Sequence, residues 1–285
     1  MKIVITLFLL AASLSGCVPS TEAVKPIVSN VNLTLNESPK EFTNTNKDII
    51  KVITRPPGVN FYKVKWGNEN LGMVTFKHGE NTFSVEHVLS ANAVDNRRSP
   101  DEGLIEFNVY ASIGDTDLIG HDDARKLFIS ALQRIRKAGW KIFINEGDPR
   151  LRGKAMLDFA LSKSPASSLD ADYEPTFVEW MKIPSDMQWQ FYANHAYLTI
   201  SFTREPTLLD PHKPGSYLIT YTLQSENEHF RNYVTPTQKD YWKSALPLQL
   251  EYLPAMREAK ESELRAQGVE IDETYMDAPI PAFIE

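Results

Sequence analysis

Cysteine is nearly missing from this chain: of 285 residues one, Cys17, carries a thiol. An intramolecular disulfide is therefore excluded, and the fold must rest on packed apolar surface. Long hydrophobic runs are missing as well. Residues 3–12 (IVITLFLLAA) form the longest largely apolar stretch, about half of the ~20 residues a helix needs to cross a bilayer. Positive charge is in deficit: 30 Lys and Arg against 37 Asp and Glu leave a formal −7. That balance argues against nucleic acid as a partner, since phosphate binding calls for a basic face. Familiar catalytic signatures are lacking too. There is no H-E-x-x-H, no G-x-S-x-G, no P-loop and no dinucleotide fingerprint. The six histidines, His78, His87, His121, His195, His212 and His229, include no pair four residues apart. No metal site, cofactor or catalytic residue is expected on these grounds, although a triad assembled from distant residues stays open.

What is present begins with the leader. Lys2 gives a positive start, residues 3–12 have the length of a signal-peptide core, and small residues lead to Leu14-Ser15-Gly16-Cys17. This resembles the lipobox of bacterial lipoproteins. The resemblance implies removal of residues 1–16, acylation of Cys17 and attachment to a lipid bilayer. Val18 rather than Asp after the cysteine implies an outer-membrane lipoprotein facing the periplasm. Loss of Lys2 moves the formal charge to −8. The partner suited to such a body is a basic protein, because charge complementarity speeds encounter.

Residues 17–46, rich in Ser, Thr, Asn and Pro, read as the lipidated cysteine and a tether. Val31, Leu33 and Leu35 alternate within it, so its end reads equally as a docked edge strand. Beyond it the pattern is strand-like at residues 49–53, 61–66, 73–76 and 82–85, with His78-Gly79-Glu80-Asn81 as a hairpin turn. Residues 104–110 add another strand. Ala124, Leu127, Phe128, Ala131, Leu132 and Ile135 recur at three- and four-residue spacing and predict a helix. Asp122 and Asp123 suit its start, and Gly139 its end. Residues 140–144 (WKIFI) then predict a strand and Leu151, Ala155, Met156 and Phe159 a second helix. Residues 189–203 and 216–224 each predict a strand, and the end is helical and acidic. Strands mixed with few helices predict an α+β fold of antiparallel sheets with packing helices. It is one large domain or two lobes, 47–165 and 166–285, divided at the polar loop 164–175.

Three constellations stand out. His121-Asp122-Asp123 reads as metal or proton chemistry or, more simply, as carboxylates capping a helix beside an exposed histidine. Residues 124–154 hold nine bases against two acids, either a face for anionic headgroups or an acidic partner, or a solvated helix face with some arginines pairing with the acidic C-terminal helix. Within it Asp148, Arg150 and Arg152 are candidate partner contacts, with a clasp inside the domain as the alternative. Trp180 and Trp189 are candidate contacts or core residues. The lipobox, the helix leading into Gly139-Trp140, and Asp148-Pro149-Arg150-Leu151 together make the chain similar to the lipoprotein immunity proteins of type VI secretion lipase toxins. That resemblance implies a periplasmic, lipid-anchored protein that binds and neutralises a phospholipase encoded nearby. An envelope assembly lipoprotein is the alternative, and an enzyme with an unrecognised site the third reading.

Overall fold

A computed structural model describes residues 30–55, 58–66, 70–162 and 168–281. Ten strands among these residues join in one sheet. In chain order they are β1 (Asn30–Thr34), β2 (Ile50–Arg55), β3 (Val59–Lys65), β4 (Gly72–Lys77), β5 (Phe83–Asn96), β6 (Leu104–Ser112), β7 (Lys141–Ile142), β8 (Gln188–Ala193), β9 (Ala196–Arg204) and β10 (Tyr217–Ser225). Their spatial order is β1-β4-β5-β6-β10-β9-β8-β7, with β3 also paired to β5 and β2 to β3. Every ladder is antiparallel except β1 on β4. The helices are α1 (Pro39–Thr45), α2 (His121–Lys137), α3 (Gly153–Ser162), α4 (Phe177–Lys182), α5 (Glu226–Arg231), α6 (Trp242–Leu250) and α7 (Leu253–Ala266). The architecture is α+β, as the sequence predicts.

Division into two lobes does not hold. β6 pairs with β10 from Glu106↔Gln224 to Ser112↔Leu218, so the sheet runs unbroken across the expected boundary. One apolar core likewise draws on both halves, from Val31 to Leu223. The loop expected to divide them is packed where it is described: Ser168, Leu169 and Ala171 are buried, and the Leu169 amide donates to the Gln188 carbonyl at 2.7 Å. The folded body also begins earlier than residue 47. Val31 and Leu33 are buried on β1, and Phe42 of α1 is buried against Tyr62 and Phe107. The alternation at residues 31–35 is thus that of a docked strand.

Residues 189–203 form a hairpin and not one strand. Asn194 and His195 sit at φ 41° and 64°, and two consecutive positive φ values are what a two-residue turn between β8 and β9 requires. Residues 140–144 contribute only the two-residue β7, with Trp140, Phe143 and Ile144 buried around it.

The inner face of the sheet is set by period-two alternation. Phe107, Val109 and Ala111 of β6, Ile200 and Phe202 of β9, and Tyr217, Ile219, Tyr221 and Leu223 of β10 are all buried. α2 lays Ala124, Phe128, Leu132 and Ile135 on this face. Trp180 of α4 meets Phe202 at 4.5 Å and Phe128 meets Trp189 at 4.7 Å between ring centres. α2 ends as expected, with Gly139 at φ 89°; a Cβ there would come within 2.6 Å of Asn81 Nδ2. Asn81 in turn ties the β4–β5 turn to the rest. Its side chain donates to the Ala138 carbonyl at 2.9 Å, and its carbonyl accepts from Trp140 Nε1 at 2.8 Å.

α4 is short and held at both ends. Thr176 and Glu179 form a capping box at its start. At its end the buried Arg204 donates to the carbonyls of Trp180 and Ile183, with its guanidinium 4.9 Å from the Trp180 ring centre and 4.8 Å from that of Phe202. Helix C-terminal carbonyls and aromatic faces thus surround the cation in place of a carboxylate.

Candidate partner-binding surface

Cys17 lies outside the described residues. Trp180 and Trp189 are core residues: 0% and 3% exposed, both are walled in by Phe128 and Phe202 and present no surface to a partner. His121 is also buried, not exposed as its polar neighbours suggest. Its Nδ1 hydrogen-bonds the Tyr217 hydroxyl, and Gly215 packs so closely that a Cβ would meet its ring at 2.4 Å. Burial, aided by the nearby Arg204 cation, pushes the imidazole pKa down. The helix start uses Gly120 as its cap, while Asp122 pairs with Arg125 and Lys126.

Asp148, Arg150 and Arg152 do belong together, but as one half of an internal clasp. Arg150 reaches Glu261 of α7 with Nε to Oε1 at 2.9 Å and a terminal nitrogen to Oε2 at 2.7 Å, and its backbone amide donates to Oε1 at 3.0 Å. Glu261 is fully buried. Lys260 bonds Asp148 Oδ1 at 2.9 Å and the Gly147 carbonyl at 2.7 Å. Arg257 donates to the carbonyls of Asp148 and Asn145 and forks onto Asp277. Arg152 pairs with Asp272. Residues 257, 260, 261 and 264 fall on one face of α7 at three- and four-residue spacing, so a single stripe meets the loop. Burial alone would raise the Glu261 pKa, but its bonds to Arg150 outweigh that and hold the carboxyl below the usual range. Arg150 is pushed up in return, chiefly by its bonds to Glu261.

Much of the positive surplus of residues 124–154 is thereby absorbed. Arg125, Arg136, Arg150, Arg152 and Lys154 each pair with a carboxylate. Of the two readings of that stretch, ion pairing with the acidic C-terminal region is the one realised at Arg150 and Arg152.

The clasp fixes one side of the terminal helices and leaves the other bare. α6 buries Trp242 and Leu246 against Phe143, Tyr197 and Phe230, and α7 buries Leu264 beside Met156 and Phe159. Glu251 and Tyr252, between the two helices, keep right-handed helical backbone angles. Residues 248, 252 and 256 therefore follow at four-residue steps along one side. Leu248 is 67%, Tyr252 51% and Met256 42% exposed, with Tyr241 at 56% just before α6. Glu251 and Glu258 are exposed among them. Periodicity marks these residues as a stripe but does not say whether the stripe faces core or solvent; the buried alternative on the same helices, Trp242-Leu246, is equally apolar.

Among the described residues no group of three or more His, Cys, Asp or Glu is placed to hold a metal ion, and no helix is long and apolar enough to cross a membrane. No protein-family model, curated protein or solved structure matches the chain.

Proposed function

We propose that this chain is a periplasmic, lipid-anchored immunity protein that binds and neutralises a phospholipase toxin of a type VI secretion system. The observation that carries the reading is the bare stripe of Tyr241, Leu248, Tyr252 and Met256 on a helix pair held to the domain by the packing of α6 and the clasp of α7. Large apolar side chains gathered at the surface with a charged rim are the composition of protein-binding sites. The clasp removes the cost of ordering the helices on binding, so more of the contact energy appears as affinity. Exposed Glu251 and Glu258 suit a basic partner surface. Neutralisation by occlusion needs no reaction, and hence no catalytic group.

Cys17 supplies the second element of the reading. A thioether-linked diacylglycerol with a further acyl chain on the new terminus makes a durable anchor, each buried methylene adding ~0.8 kcal/mol. Tying the inhibitor to the membrane its target attacks raises its effective concentration there. Residues 1–16 are the leader that is cut away, and the outer membrane is the destination.

Co-expression tests the proposal. Cells producing the lipase encoded beside this chain in their periplasm should survive when the chain is present and lyse when it is absent. Killing that continues despite abundant lipoprotein contradicts it. Cys17→Ser should abolish incorporation of labelled palmitate and membrane association while leaving the body folded; palmitate retained by that variant contradicts the anchor.

A further inference from the structure

On the outer face of the sheet, where α5 packs against β6, β9 and β10, lies a cavity of about 290 Å³. It shares no residue with the Leu248–Met256 stripe. Its wall is aromatic: the His229 and Tyr197 rings stack in parallel, 2° apart in plane and 3.5 Å between centres. Phe143 stands edge-on to both, at 5.1 and 5.2 Å. Its floor is polar, made by Gln190, Thr199, Thr222 and Gln224.

Two further observations single this cavity out. Five buried side-chain polar atoms among the described residues have no hydrogen-bond partner, and three of them belong to residues that line it: Gln190 Oε1, Tyr197 Oη and His229 Nε2. Native interiors satisfy such atoms with rare exceptions, so a cluster of them marks a place where a partner is missing. The lining also carries no formal charge. It contains no Asp, Glu, Lys or Arg, and burial holds the His229 imidazole down at about 3, hence neutral. Neighbouring bonds hold the floor in place, with Gln190 Nε2 on Gln188 Oε1 at 2.7 Å and Thr222 Oγ1 on Asn108 Oδ1 at 2.8 Å.

We propose that this cavity binds one neutral sugar residue, its apolar C–H face against the Phe143–Tyr197–His229 wall and its hydroxyls on Gln190, Thr199, Thr222 and Gln224. A sugar ring is flat and apolar on a face and rimmed by hydroxyls that both donate and accept. Amides and hydroxyls answer in kind, since each of them does both. An ion finds no counter-charge here. The volume sits at the small end of ligand pockets, about 300–1,000 Å³, which suits a single ring. Gln190 Nε2 keeps one hydrogen on Gln188 Oε1 and has a second to offer the ligand. The sugar is either free or the end unit of a glycan strand.

Saturation-transfer NMR on the intact chain tests this, with glucose, N-acetylglucosamine, the β-1,4-linked tetramer of N-acetylglucosamine, and glucose 6-phosphate as probes. A neutral probe should bind saturably and give transfer from aromatic protons. Gln190→Ala and Thr222→Val should each weaken it about tenfold, one hydrogen bond's worth, with circular dichroism unchanged. Equal affinity for monomer and tetramer assigns the site to a free sugar; tighter tetramer binding assigns it to a strand end. Absence of saturable binding to every neutral probe overturns the proposal. So does binding that both variants leave intact, or a preference for the phosphorylated sugar.

Discussion

The two faces of the sheet are made by the same strands and behave as two different materials. On β10, Tyr217, Ile219, Tyr221 and Leu223 point into a core of interlocking aromatic rings, while Leu218, Thr220, Thr222 and Gln224 between them are half-buried on the other side. β6 divides likewise, Phe107 and Val109 inward, Glu106 and Asn108 outward. Across the outer face run side-chain bonds, Glu106 to Asn108 at 2.6 Å, Asn108 to Thr222 at 2.8 Å and Gln224 to Glu106 at 2.7 Å. The inner face, once filled, decides which strands meet. Both proposed sites draw on the outer face and the terminal helices.

That contrast breaks most visibly at Trp180. Trp180→Ala empties a fully buried position and should cost about 3–5 kcal/mol in urea unfolding, whereas Thr222→Val on the outer face gives up one hydrogen bond, to Asn108, and should cost about 1 kcal/mol. Comparable losses at the two positions would erase the distinction.

His229 sharpens it with pH. The imidazole takes a proton near 6.5 when unfolded and only near about 3 when folded. Stability from the neutral ring is therefore complete above 6.5 and drains away as pH falls from 6.5 toward 3. His229→Phe removes that loss and keeps the stack on Tyr197. Relative to the parent, the variant should gain stability as the pH drops, approaching about 1.4 kcal/mol per pH unit and about 3 kcal/mol by pH ~4. Parallel pH profiles for the two proteins would contradict burial of the ring.

The clasp gives a smaller effect with the same pH direction. Glu261 lies below its usual range when folded, so its contribution is present above the unfolded value of 4.5 and lost as pH falls through the lower folded value. Glu261→Gln should cost about 2 kcal/mol at neutral pH, the scale of a charge-assisted bond. The gap should close in acid. A pH-independent loss would point to packing in place of charge.

Local pattern carried much of the architecture into view. The stripe of α2, the His78–Asn81 turn and the alternation of β6 and β10 are written in neighbouring residues, and each forms as its pattern predicts. What stayed hidden depends on distance. Nothing near residues 104–112 says that they will pair with residues 217–225, and without that ladder the halves read as separable. The Asn194-His195 turn lies inside an unbroken alternation, so one long strand and a hairpin look alike. At the clasp, Arg150 and Glu261 are 111 residues apart; composition shows an excess of each sign but not which charges meet. Trp180 and Trp189 illustrate the same limit, because an aromatic side chain is equally at home in a core and at an interface.

The most direct test of the proposed docking surface compares the intact chain with a Leu248→Asp, Tyr252→Asp double variant for complex formation, by isothermal titration, with the phospholipase that the proposed function assigns as partner. Both positions are exposed, so the variant should unfold within about 0.5 kcal/mol of the parent. A tight complex is expected for the parent and at least about a hundredfold weaker binding for the variant, as when central anchors are lost. A parent that forms no complex, or a variant that binds as well as the parent, would contradict the proposal.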